Sequence, residues 1–556
     1  MVAVAELADR YVEEMAALDP CAATMMGVAG HDAELTDYGP DGVASRAVLI
    51  SRTLAQLGPA PGNGGAAEPV EVAVMRERLG AELALYDAGL RLGEVNVLDG
   101  SLQRLRLVFD LMDMSGEAAW ENVAARLRRL PAALDGHRQG ILQAAAHGQV
   151  AALRQVERSA EQCELWTSSF SRLPAGYGDG PLRQELERGA TGVNAALEGF
   201  ARFLLQELAP VAARRDAVGR RRYALWVPYF TGVRLDLDET YAWGWEELRR
   251  IRAELDEVAE RLAPGETAAA VAERLDHDPA YLVTGVDRFR GWMQELADRT
   301  IEALAGVHFD VPAPLRRLDC RISPPGTGGI YYTRPSEDFS RPGRVWWSVP
   351  DDREEFSTWR AATTMFHEGA PGHHLQLGHV VYRADRLNRY QRLACRVAGH
   401  SEGWALYAER LMAELGCLDD PGERMGMLQA QAFRAARVVM DIGMHLELEI
   451  PAGSGFHEGE RWTPALGHAL LRECMIDDQS FLDFEIDRYL GRPAQAISYK
   501  VGERAWLDVR EAERRRRGDG FDLRAFHATA LDMGPMGLDS LRERLATGAG
   551  AAGGGG

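Results

Sequence analysis

Met365-Phe366-His367-Glu368-Gly369-Ala370-Pro371-Gly372-His373-His374 sets a His-Glu pair and a His-His pair within eight residues, at the end of apolar, helix-compatible sequence. In the helical pattern H-E-x-x-H, two histidines one turn apart bind a zinc ion and the glutamate activates its water. Here the fifth position is Pro371. Proline lacks a backbone donor and crowds the preceding turn, so a regular helix cannot pass through it unperturbed, and Gly372 then permits unusual dihedrals. On an unbroken helix His374 lies about 20° off the face of His367 and His373 about 120°. Straight geometry therefore favours His374 as the second ligand, whereas a kink or bulge at Pro371-Gly372 brings His373 round. The residues alone leave both open. Three histidines and a glutamate so close together do not read as mere helix caps or core residues.

Working outward, Phe356, Trp359, Thr363 and Phe366 are spaced three, four and three apart, which predicts a buried helical stripe ending at His367. Catalytic zinc takes three protein ligands and a water, so a third ligand must come from elsewhere. His400-Ser401-Glu402-Gly403-Trp404-Ala405-Leu406-Tyr407-Ala408-Glu409 reads as the start of an amphipathic helix, with Glu402 lying 35 residues beyond His367. Glu402 and Glu409 share a helical face, one as a candidate ligand and the other as a partner behind the ligands. On the other side, Cys320 to Pro350 is rich in Pro, Gly and aromatics. It contains two β-like runs, Ile330–Thr333 and Arg344–Val349, which predict two strands joined by a long loop. Such an edge can offer backbone groups to an extended peptide.

A chain of 556 residues exceeds the size at which one core stops growing. We expect a mainly α protein, either one large helical body with an inserted subdomain or two closely joined lobes: a helical one over 1–315, and one over 316–545 with a small β-segment at 320–350. Helical periodicity marks 3–18, 43–57, 68–90, 116–130, 181–209, 237–262 and 266–275. Gly58 to Gly65 reads as a flexible connector, and the Gly/Ala-rich end, within 546–556, as a disordered tail. With 63 basic against 83 acidic residues the formal charge is −20, which opposes binding to nucleic acid or anionic lipid. The six cysteines show no C-x-x-C pair and read as thiols of a reducing compartment. The N-terminus lacks a basic region and cleavage site, and no window approaches eighteen uninterrupted apolar residues. No membrane association and a cytoplasmic location are the expectation.

The chain resembles the large bacterial family known as domain of unknown function 885. Its members carry H-E-x-x-P-G-H-H, then E-G-W-A-L-Y-A-E, a D-x-G-x-H helix and a late Q-A-x-x-Y-K-x-G segment. The matching residues are His367–His374, Glu402–Glu409, Asp441-Ile442-Gly443-Met444-His445 and Gln495-Ala496-Ile497-Ser498-Tyr499-Lys500-Val501-Gly502. Gly27-Val28-Ala29-Gly30-His31-Asp32 and Leu35-Thr36-Asp37-Tyr38 are similar to the family's opening. The likeness runs from about residue 5 to residue 540. Such families look like distant relatives of the gluzincin zinc peptidases, which implies a large helical, zincin-like body with a small β-hairpin or sheet beside the metal-binding helix. By that likeness His367, His373 and Glu402 hold Zn2+ and Glu368 is the general base. His373 is preferred over His374 because it is the first histidine after Pro-Gly.

A zinc hydrolase also needs a donor for the developing oxyanion, and Tyr499 and His445 are the candidates. Asp441 and His445, like Arg437 and Asp441, are four apart and read alternatively as a surface ladder. Arg434, Arg437 and Lys500 are candidates for capturing a substrate carboxylate. The expected function is a zinc metallopeptidase of carboxypeptidase or oligopeptidase type, acting on short peptides or small amides in a deep cleft. The alternatives are a non-catalytic helical binding or scaffold protein with a structural metal, and a metal hydrolase of non-peptide amides or esters.

Overall fold

The computed structural model describes residues 4–59, 68–323, 329–350, 353–475 and 479–546. The connector from Ala60 to Gly65 and the Gly/Ala tail lie outside them. The described chain is mainly helical, with two small sheets. Backbone contacts divide it into two compact units. One comprises Met1–Trp226, Asn388–Ala394 and Asp483–Pro493, and the other Val227–Leu387, Cys395–Leu482 and Ala494–Gly556. Residues 227–315, expected with the N-terminal lobe, thus share a unit with the His-Glu segment. The cause is packing that periodicity cannot display. In that unit Tyr241 donates to the Glu449 carbonyl (3.1 Å) and accepts from Trp462 Nε1 (2.7 Å), while Lys500 pairs with Glu247 at 2.7 Å.

In the first unit the periodic segments become the helices Val4–Leu18, Pro40–Leu57, Val70–Asp87, Glu117–Ala146 and Arg183–Phe203. The helix expected to end before Pro131 continues through it to Ala146. Proline removes one helical hydrogen bond, but the apolar stripe Leu127, Leu130, Leu134 and Ile141 runs on past it, each residue buried. Arg126 on this helix is wholly buried and donates to the Glu34 and His31 carbonyls and to Thr24 Oγ1 (2.8, 3.1 and 2.7 Å). It thereby ties down the Gly27–Tyr38 opening.

Among the described residues all five strands lie in the second unit. β1 (Leu282–Thr284) pairs antiparallel with β5 (Glu355–Ser357). β2 (Leu318–Ile322), β3 (Ile330–Thr333) and β4 (Gly343–Trp347) form a sheet of order β2-β4-β3. β3 and β4 are the two expected strands, antiparallel, with Ile330 opposite Trp347. The sequence reading missed β2, which joins parallel to β4 with Leu318 opposite Gly343. Phe356 falls in β5 and not on the helix, so the stripe leading to His367 begins at Trp359. Among the described residues no helix is long and apolar enough to cross a membrane.

Candidate metal centre

The His-Glu helix runs from Thr358 to Glu368 and stops there, and a second helix starts at His373 and continues to Tyr382. Pro371, entered through a cis peptide bond, makes a full break instead of a bulge. The break has its own hydrogen bonds: Gly372 N–H donates to the Phe366 carbonyl and His374 N–H to that of Gly369, both at 3.1 Å. Glycine is obligatory at 372, because a Cβ there would lie 2.0 Å from the His367 carbonyl oxygen. Trp404, in the middle of the Glu-Gly-Trp motif, donates from Nε1 to the Pro371 carbonyl at 2.8 Å. Its helix, Ala398–Glu414, is itself pressed on the helix Ser498–Arg517, where a Cβ on Gly403 would meet Gly502 backbone at 2.3 Å. The glycines and the tryptophan of three separate motifs thus set one local arrangement.

That arrangement brings together ligand atoms of His367, His373 and Glu402, all within 4.8 Å of one another. Glu402 Oε2 is 3.3 Å from His367 Nε2 and 3.5 Å from His373 Nε2. The edges of a zinc tetrahedron with ligand bonds near 2.0–2.1 Å are about 3.4 Å, so the two spacings from Glu402 match that metal. His374 is turned away. Its Nε2 donates to the Leu315 carbonyl (2.9 Å), which leaves Nδ1 to accept from the Tyr332 hydroxyl at 3.1 Å. Burial holds its pKa down to about 4, as expected of a neutral core histidine.

Behind the triad, Glu409 accepts from His367 Nδ1 at 2.7 Å and from Thr363 Oγ1 at 2.9 Å. A carboxylate on Nδ1 fixes the imidazole tautomer and leaves the Nε2 lone pair for a metal. Burial opposes charge on His367, yet the carboxylates of Glu402 and Glu409 overcome it and lift its pKa to about 10. Burial likewise works against ionised Glu402, but His373 and His367 hold it well below the carboxylate range. Glu368 goes the other way: burial dominates and raises it, partly offset by the histidines and by Arg434. Glu368 Oε2 and His373 Nδ1 are buried and have no hydrogen-bond partner among the described residues. Buried polar atoms are usually hydrogen-bonded, so each of these two has capacity for one further partner.

The remaining candidates are distributed unevenly. Arg437, Asp441 and His445 lie on the helix Pro421–Leu446 and form a buried ladder, not a surface one, with His445 Nε2 3.8 Å from Asp441 Oδ1. His445 is wholly enclosed. Asp441 Oδ2 accepts from Ala494 N–H at 2.8 Å, anchoring the loop that leads into Tyr499. The Tyr499 ring carries the Arg437 guanidinium at 4.6 Å, one helical turn beyond Arg434. Lys500 is buried and engaged by Gln431 and Glu503 as well as Glu247. Sequence reasoning did not foresee the roles of Tyr332, the Leu315 carbonyl or Trp404, because each acts across the fold on a neighbour that no spacing reveals.

The fold has solved counterparts. The "putative lipoprotein" of Colwellia psychrerythraea superposes with a TM-score of 0.85 at 20% identity, covering 98% of each chain. The "putative lipoprotein of unknown function" of Shewanella oneidensis gives 0.74 at 17% identity, over 98% of this chain and 99% of that one. At such identities the likeness concerns the fold alone. No curated protein matches the sequence. A family model matches residues 20–545, and the chain belongs to the family described as "Bacterial protein of unknown function (DUF885)".

Proposed function

We propose that the protein is a zinc-dependent hydrolase, a metallopeptidase with a gluzincin-like centre in a zincin-like body, acting on short peptides or small amides. The observation that supports the reading most is the buried convergence of His367, His373 and Glu402 beside a glutamate whose Oε2 is unpartnered. Zinc bound there would supply Lewis acidity toward a water and a substrate carbonyl. Glu368 is the group to accept a proton, at Oε2, and to return it to the departing amine. Glu409 orients His367, and Tyr499 is the candidate donor of a hydrogen bond to negative charge developing on the substrate. The six cysteines, all unbridged thiols, support the cytoplasmic location.

Purified without chelator, the protein is expected to cleave members of a mixed peptide library, with cleavage abolished by chelation. The Glu368→Gln variant should keep its metal and lose at least a hundredfold in kcat, the usual scale for a general base. A metal-free wild type would defeat the metal reading. Unchanged turnover in the variant would defeat the assigned base and leave a structural metal as the better account. Cleavage of esters or non-peptide amides in place of peptides would reassign the substrate but keep the centre.

A further inference from the structure

A hydrolase with this centre must also hold its substrate, and the three cations near the late motifs differ sharply in what they have left to offer. Arg437 is buried between the rings of Phe433 and Tyr499, 4.5 and 4.6 Å from their centroids. Lys500 is engaged by Gln431, Glu247 and Glu503. Arg434 is different. Its guanidinium lies farther from the Phe433 ring, 5.7 Å from the centroid, its hydrogen bond is a 3.4 Å contact with the Ala430 carbonyl of its own helix, and its Nε is buried with no partner among the described residues.

The helix that carries Arg434 touches the His-Glu helix directly, since a Cβ on Gly426 would lie 2.1 Å from the Trp359 carbonyl oxygen. From that crossing Glu368 lies nine residues on and Arg434 eight, about 13 and 12 Å along their helices. The Arg434 charge is one of the smaller influences that lower the pKa of Glu368 and of Glu409. Among the described residues it forms an ion pair with neither. A half-buried guanidinium whose charge reaches the general base, with most of its donors unengaged by protein groups, is suited to an anionic ligand. The planar fork matches a carboxylate in two-pronged fashion.

We infer that Arg434 binds the terminal carboxylate of the substrate, so that the protein cleaves peptides from their C-terminal end. The inference rests on the hydrolase reading of the same centre. A carboxylate anchored there would set how far the scissile carbonyl lies from Glu368, which makes Arg434 a specificity-determining residue for exopeptidase action.

The test compares two pools of N-acetylated tripeptides of mixed composition, one with free C-terminal carboxylates and one with C-terminal amides. Cleavage is followed by mass spectrometry in the zinc-loaded wild type, Arg434→Gln and Arg434→Lys. Retention of both pools in equilibrium dialysis is followed in Glu368→Gln protein with and without Arg434→Gln. The wild type should favour free acids by tenfold or more, in rate and in retention. Arg434→Gln should bring both ratios close to one. Arg434→Lys, which keeps the charge but not the fork, should reduce them several-fold, and it decides the matter if the glutamine variant does not fold. A ratio that survives Arg434→Gln, or equal or absent retention of the two pools, overturns the inference. So does a fall of both pools by one factor, which would assign Arg434 to the reacting carbonyl. Absence of cleavage in every pool, with free acids still retained through Arg434, would count against the hydrolase reading and not against this one.

Discussion

The choice between His373 and His374 turns on where each imidazole nitrogen finds its partner. His374 has both nitrogens satisfied by Leu315 and Tyr332, while His373 turns Nε2 to Glu402. Glu409 is the residue that makes this geometry persist, since it fixes His367 through Nδ1 and is itself held by Thr363. Glu409→Gln should weaken zinc binding about 10- to 100-fold. Thr363→Val, which removes one hydrogen bond worth about 1 kcal/mol, should weaken it only several-fold. Competition against a chromophoric chelator measures both, and unchanged affinity in Glu409→Gln would show that the carboxylate has no part in metal binding. The clustering of His367, Glu368 and Glu402 was legible because chemistry restricts which side chains crowd together. The second histidine was not, because its selection depends on a break whose form spacing cannot reveal.

At the scale of the element, the break between Glu368 and His373 is the feature on which the centre depends. A bulged helix was one expectation; two helices meeting at Gly372 is the outcome. Gly372→Ala forces a methyl against the His367 carbonyl. The expected cost is about 3 kcal/mol or more, near the upper end for overpacking because the obstacle is backbone. A lowered urea midpoint together with loss of bound zinc would bear this out; a variant of native stability and metal content would contradict it. Much of the secondary structure was readable, since long amphipathic helices and the Ile330–Thr333 run announce themselves by period. β2 escaped notice because it is five residues long and carries charges at Asp319 and Arg321. Its partner β4 lies about 25 residues away, and parallel pairing has no turn signature.

On the scale of the whole molecule, the buried histidines make stability depend on pH. His137 in the first unit stacks on Phe200 at 5.6 Å, has no partner for Nδ1 among the described residues, and is pushed by burial down to about 4. Above pH 6.5 it is neutral in folded and unfolded chains alike and has no effect. As pH falls through 6.5 the unfolded chain takes up a proton that the folded one refuses, so stability drops until about pH 4. The loss is on the order of 3 kcal/mol. His137→Phe should flatten this slope in denaturant titrations between pH 7.5 and 4.5, and an unaltered slope would exclude His137 as its source. The division into units was the least legible feature, because it follows from contacts such as Lys500 with Glu247 that join distant parts of the chain. The most direct measurement of the whole reading is the zinc content of protein purified without chelator. One zinc per chain is expected in the wild type and in His374→Ala, and none in His373→Ala; a metal-free wild type, or zinc lost with His374 and kept without His373, would contradict it.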